Sequence, residues 1–176
     1  NKGFEVIEAH WLFGLPYSQI DVVMHRESVV HAMVELLDGS IKAVLGPPDM
    51  RLPVQYALTY PIRRAGPWPR LRIEDLGRLT FAPLEKPRYP CFNLALRAAA
   101  AGGSCPAVLS AADDEAVKGF LAGRIGFTEI EETVDRALQS HVATACLTVE
   151  DVMAADEQTR AYVAQSLKQE RRRALG

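Results

Sequence analysis

Prolines at positions 61, 67, 69, 83, 87 and 90, with arginines at 63, 64, 70 and 72, crowd one thirty-residue stretch and divide the chain. Proline lacks a backbone N–H and fixes φ, so neither a helix interior nor a central strand accommodates it repeatedly. Residues 61–90 are therefore expected to form a linker crossing a surface, with at most a short strand near Leu79-Thr80-Phe81. On its N-terminal side, residues 1–60 mix helix and strand signals. On its C-terminal side, residues 91–176 carry helix signals only. The expected class is α+β: the end of an α/β domain with a β-hairpin, then the linker, then a C-terminal four-helix bundle.

In the first segment, Phe4, Ile7, Trp11 and Leu12 recur at helical spacing and predict a buried stripe on an opening helix. Gly14-Leu15-Pro16 ends that pattern. Ile20 to His25 is rich in β-branched residues and predicts a strand. Val29–Leu37 and Ser40–Leu45 flank Asp38-Gly39, the signal for a two-residue type I′ hairpin. Alternation puts Val30, Ala32, Val34 and Leu36 on a core face and Val29, His31, Met33 and Glu35 on the other. Gly46 to Pro53 contains two adjacent prolines and predicts a stiff loop at the sheet end, leading into a helix over Val54–Tyr60.

Helix punctuation organises the second segment. Phe92 to Ala101 is alanine-rich and stops at Gly102-Gly103; Pro106 suits the first turn of a helix that runs to Leu121 and ends at Gly123. Thr128-Glu129-Ile130-Glu131 predicts a capping box opening a helix through Leu138. Thr148-Val149-Glu150-Asp151 opens the last helix with acidic residues in its first turn.

Composition narrows the function. The formal net charge is -2 and the isoelectric point about 6.1, so no global basic field is available for nucleic acid or an anionic membrane. Arg171, Arg172 and Arg173 sit at the end of a helix, where the dipole favours cations, and suit a solvated terminus. Cys91, Cys105 and Cys146 are odd in number, with neither CxxC spacing nor a His pair at metal-ligand spacing, and fit a reducing, cytoplasmic setting. No apolar run approaches the ~20 residues that span a bilayer. The chain opens without methionine at a helix cap, so it is expected to be the later part of a longer polypeptide, and an earlier targeting segment stays open.

The helix start concentrates reactive side chains. Asn1 suits the N-cap, Lys2 adds a positive charge where free N–H groups and the helix dipole already favour anions, and Glu5 and Glu8 lie one turn apart. Ordinary helix-start chemistry accounts for the same residues. His31, a lone histidine among aliphatic residues, is by spacing alone a structural residue.

The run Asn1-Lys2-Gly3-Phe4-Glu5-Val6-Ile7-Glu8-Ala9-His10-Trp11-Leu12-Phe13 resembles the NKGLEVIEAHWLF signature of the 1-deoxy-D-xylulose 5-phosphate reductoisomerase family. His25 through Val34 is similar to that family's HPQSIIHSMV strand, and Asp38-Gly39-Ser40 with Leu45 through Pro53 to its DGS and LGPPDMRLP block. Ala107–Val117 and Phe120–Phe127 are similar to its AVLNAANE and FLxGRIxF patterns. Arg26, Glu27, Asp113 and Asp114 depart from them.

The resemblance implies an NADPH-dependent enzyme of the non-mevalonate isoprenoid pathway that uses Mg²⁺ or Mn²⁺, rearranges a ketose phosphate and reduces the resulting aldehyde. It implies Glu5 as metal ligand, Asn1, Lys2 and Glu5 as substrate-binding, Lys2 and His31 as catalytic, and Pro48 and Met50 beside the cofactor. It also implies a homodimer and a sugar phosphate substrate. The segment alone is expected to be inactive, since it has no Gly-rich nucleotide loop and no partner carboxylates for the metal. The competing class is a non-catalytic dimerisation or interaction module.

Overall fold

In a computed structural model, residues 1–144 and 148–175 are described, with side chains through residue 169. Cys146 and the side chains of Arg171, Arg172 and Arg173 lie outside the described residues. The chain is α+β, with helices outweighing two small antiparallel sheets. It forms two compact units: residues 1–21 with 85–176, and residues 22–84.

The first unit contains α1 (Lys2–Phe13), α4 (Pro90–Ala101), α5 (Cys105–Leu121), α6 (Glu129–Ser140) and α7 (Val149–Leu175). Helix α5 packs against α4, α6 and α7, and α1 packs on α4. Alanines at 95, 98, 99, 112 and 116 keep these helices close around Val108, Leu109, Val134, Val163 and Leu167. Across the seam with α5, Arg160 of α7 pairs with Asp114 and with Glu115 at 3.2 Å; within the helices, Asp156 braces Arg160 at 2.7 Å and Lys118 holds Asp114 at 3.0 Å. Asp114 thus has a structural use in this chain. Half-burial pushes the Asp113 carboxyl up.

The expected stripe on α1 needs correction. Gly3, Val6 and Ile7 are buried and Phe4 packs against the core, whereas Trp11 is 74% and Leu12 76% exposed. The contact with α4 is made by the first two turns, and the last turn continues beyond it. Gly3 is the closest approach, because a Cβ built there would overlap Ala95 Cβ. Gly14 ends the helix in the left-handed region (φ 65°), and His10 secures the exit by donating from Nδ1 to the Leu15 carbonyl and stacking on Tyr17.

Helix caps divide in the same way. The capping box expected at Thr128 is not formed: its side chain makes no cap, and Glu129 reaches back to the Gly126 N–H at 2.6 Å instead. At α7 the box is complete, with Asp151 N–H donating to Thr148 Oγ1 and Thr148 N–H to the Asp151 carboxylate.

The second unit holds β1 (Val23–Met24), β2 (Val30–Glu35), β3 (Ile41–Leu45), α2 (Arg51–Thr59), the single turn α3 (Ile73–Leu76) and β4 (Ala82–Pro83). The strand expected over Ile20 to His25 shrinks to two residues, paired antiparallel with β4, which lies just past the expected Leu79–Phe81. The hairpin of β2 and β3 is where the sequence puts it, but its turn differs. Gly39 N–H donates to Leu36 O, Leu36 N–H donates to Ser40 O, and Gly39 alone has positive φ (82°). That is a three-residue connection with glycine at the left-handed position, not a type I′ pair. Asp38 serves it by accepting from Ser40 N–H and Oγ–H.

Neither hairpin face is core, another correction. Val34 is 59%, Ile41 60% and Val44 61% exposed, and every residue of β2 and β3 except half-buried Val30 is exposed. Val29 is the one buried hydrophobic side chain described in the unit.

Candidate functional site

Two groups of residues carry the chemistry singled out in the sequence, one in each unit. The first occupies the opening of α1. Asn1 stands at the N-cap position, and its carbonyl accepts the first helical bond from Glu5 N–H at 3.0 Å. Its side chain makes no cap; Nδ2 donates to Glu5 Oε1. Lys2 Nζ donates to Glu5 Oε2 at 2.5 Å. Asn1 and Lys2, four and three residues before Glu5, thus converge on one carboxylate. Lys2 and Glu5 side chains stay 60% and 43% exposed, so both are open to a ligand. Glu8, a turn further along, is exposed and makes no part of this cluster.

A carboxylate is a hard oxygen donor suited to a divalent cation, and an ammonium beside it suits phosphate or hydroxyl oxygens. No group of three or more His, Cys, Asp or Glu that could hold a metal ion occurs among the described residues. Glu5 supplies one ligand at most.

The second group lies at the end of the hairpin. His31 sits at a bulge: Val30 opposes Leu45 while Ala32 opposes Val44, so His31 is the extra residue of β2. A bulge redirects a side chain away from strict alternation. His31 Nε2 bonds the Gly46 carbonyl at 3.2 Å, and Gly46 N–H donates to Val29 O at 3.0 Å. The sequence alternation missed this bulge, because a bulge is defined by the partner strand.

After Gly46 the chain runs through Pro47, Pro48, Asp49 and Met50 into α2. The loop is braced internally. Asp49 accepts from Arg51 Nε at 2.9 Å and from Arg51 N–H at 3.0 Å, contacts that hold its carboxyl below the ordinary range. Pro48 is exposed and Met50 is 74% exposed, so the loop offers an apolar surface to whatever approaches it.

Glu27 stands out in the sequence only as a departure from the family pattern, and His25 has no role assigned there. The Thr80 hydroxyl and amide hydrogen-bond to Glu27 and hold its carboxyl below the ordinary range. The partner lies 53 residues away in sequence, so no local pattern signals it.

A model of the DXP reductoisomerase C-terminal domain matches residues 45–162. The 1-deoxy-D-xylulose 5-phosphate reductoisomerase of Geobacillus kaustophilus is 54% identical over 164 residues, which are 93% of this chain and 43% of that protein. That of Exiguobacterium sibiricum is 52% identical over 167 residues, again 93% and 43%. Among solved structures, the reductoisomerase from Zymomonas mobilis in complex with NADPH superposes with a TM-score of 0.87 at 38% identity, covering 95% of this chain and 44% of that one. A DOX-P reductoisomerase in complex with NADPH, fosmidomycin and magnesium gives 0.87 at 37% identity, covering 97% and 44%. The chain thus spans less than half the length of the proteins it matches.

Proposed function

Because this chain belongs to the DXP reductoisomerase family, we propose that it is the end of the catalytic domain, the linker and the C-terminal four-helix bundle of an NADPH- and divalent-metal-dependent enzyme. The reaction is conversion of 1-deoxy-D-xylulose 5-phosphate to 2-C-methyl-D-erythritol 4-phosphate. The observation that carries this reading is the convergence of Asn1 and Lys2 on Glu5 at the start of α1, in the run that resembles the family signature.

The donor chemistry fits a bound Mg²⁺ or Mn²⁺: Glu5 offers a hard, exposed carboxylate, and the other ligands come from the part of the protein this chain does not span. When bound, the metal polarises the substrate carbonyl and NADPH provides the hydride. The residues of this chain bind and orient. Glu5 would hold the metal with its carboxylate, and Lys2 and the Asn1 amide beside it would bind substrate oxygens. His31, aimed by its bulge, provides a ring nitrogen at the substrate. Pro48 and Met50, on a stiff apolar loop, would lie beside the bound cofactor and help exclude water there.

The active form is a homodimer in which the exposed hairpin meets a second copy, supported by its apolar residues on a sheet too small to bury them. Residues 1–176 alone do not turn over. The test compares the full-length protein with this segment, following NADPH oxidation with 1-deoxy-D-xylulose 5-phosphate and magnesium. Turnover by the full-length protein alone is expected. Absence of metal-dependent turnover in the full-length protein would overturn the reading and favour an interaction module.

A further inference from the structure

A series of hydrogen bonds connects a buried histidine to the proline loop, all within residues 22–84. The His25 side chain is 6% exposed and its ring stacks on Phe81 with centroids 4.6 Å apart. Val29 N–H donates to His25 Nε2 at 3.2 Å, so that nitrogen carries a lone pair. The other ring nitrogen, Nδ1, faces the Thr80 carbonyl oxygen at 2.9 Å, an acceptor, so it carries the hydrogen. Both contacts are satisfied together by the neutral Nδ1–H tautomer alone.

Glu27 maintains that arrangement. One carboxylate oxygen accepts the Thr80 N–H at 3.1 Å and the Thr80 hydroxyl at 2.6 Å, which orients the residue whose carbonyl receives the imidazole hydrogen. The other oxygen is buried, has no hydrogen-bond donor and lies 3.0 Å from His25 Nδ1. Negative charge on that side of the ring favours the hydrogen at Nδ1 and leaves Nε2 free to accept.

The effect passes from Val29 to the loop. Val29 carries its N–H on His25 and its carbonyl on Gly46 N–H at 3.0 Å. Pro47 and Pro48 come next and have no N–H to donate, so Gly46 provides the last amide tie between the sheet and the loop. We propose that His25 is a positioning residue for the Gly46–Met50 loop, acting through Val29 and Gly46, with Glu27 setting its tautomer. This rests on the reading that Pro48 and Met50 face the cofactor.

The test uses the full-length reductoisomerase with three substitutions. His25→Phe keeps the ring and its stacking on Phe81 but loses both polar contacts. His25→Asn keeps a donor near Thr80 and loses the acceptor for Val29. His25→Gln reaches Val29 with a carbonyl. Amide exchange at Val29 and Gly46 and the KM values for NADPH and for the sugar phosphate are measured for each.

For His25→Phe and His25→Asn, exchange at both amides and the KM for NADPH should rise about fivefold to tenfold, the range expected for one lost hydrogen bond, while the sugar phosphate KM stays within about twofold. His25→Gln should recover most of the loss. Unchanged exchange at Gly46 in His25→Asn would overturn the proposal, and so would an equal rise in both KM values that His25→Gln does not rescue. Should His25→Phe fail to fold, the Asn and Gln pair decides alone. Lack of turnover in the unsubstituted protein would instead refute the functional reading, and the exchange data would still decide the positioning.

Discussion

Replacing Gly3 with alanine separates the packing of α1 from its chemistry. In an open helix this change stabilises by roughly 0.5–1 kcal/mol, because glycine loses more backbone freedom on folding. Here the added Cβ would overlap Ala95 Cβ, on the face by which α1 meets α4. Overpacking a core contact costs about 1–3 kcal/mol, so the net outcome is a loss of about 1 kcal/mol and, in a full-length protein more than twice the length of this chain, a melting point lower by ~1–2 °C. The companion change Ala95→Gly removes the obstructing methyl. In a double-mutant cycle the pair should therefore show a coupling of about 1–3 kcal/mol in favour of the double variant. Thermal melting of the full-length protein and its three variants measures it. Since α1 also carries Asn1, Lys2 and Glu5, Gly3→Ala should raise the metal concentration needed for half-maximal turnover, and the second substitution should restore it. A coupling within about 0.3 kcal/mol of zero would refute the close approach of the two helices.

The second unit yields two more expected outcomes. The Thr80 contacts keep Glu27 ionised below its ordinary range, so their stabilisation is present above the unfolded glutamate value of ~4.3 and is lost as pH falls through the lowered folded value. Melting temperature against pH should flatten at the acidic end in Glu27→Gln; an unchanged profile would contradict the assignment. Val44→Asp, placed on the exposed hairpin, should convert the dimer to monomer at micromolar concentration by sedimentation, and an unaltered dimer would exclude the hairpin from the interface.

Local signals identified the long helices and the hairpin and put Asn1, Lys2 and Glu5 in the opening turns of α1, where helical neighbours three and four apart meet; the convergence of Asn1 and Lys2 on Glu5, in place of an Asn1 cap, is seen only in the structure. Signals that depended on a partner failed. Trp11 and Leu12 continue the apolar spacing of α1, yet only the turns carrying Gly3 and Ile7 reach α4. Asp38-Gly39 located the turn but not its length, since Gly39 alone takes the left-handed conformation. The bulge at His31 depends on the register with β3, and the clasp of His25 and Glu27 on Thr80 joins residues more than fifty positions apart. The role proposed for Glu5 came from family resemblance, because spacing alone equally describes an ordinary helix start.

Glu5→Gln is the decisive substitution for the metal role. It keeps size and helix propensity and removes the charge that would bind the metal, so the fold should persist. Turnover of the full-length protein against magnesium concentration, alongside direct metal binding by calorimetry, is compared with Glu8→Gln, whose exposed carboxylate lies outside the cluster. Glu5→Gln should weaken metal binding and lower turnover by orders of magnitude, consistent with losing several kcal/mol of charge stabilisation, while Glu8→Gln behaves normally. Near-normal turnover and metal binding in Glu5→Gln would show that the carboxylate at the start of α1 is not a metal ligand.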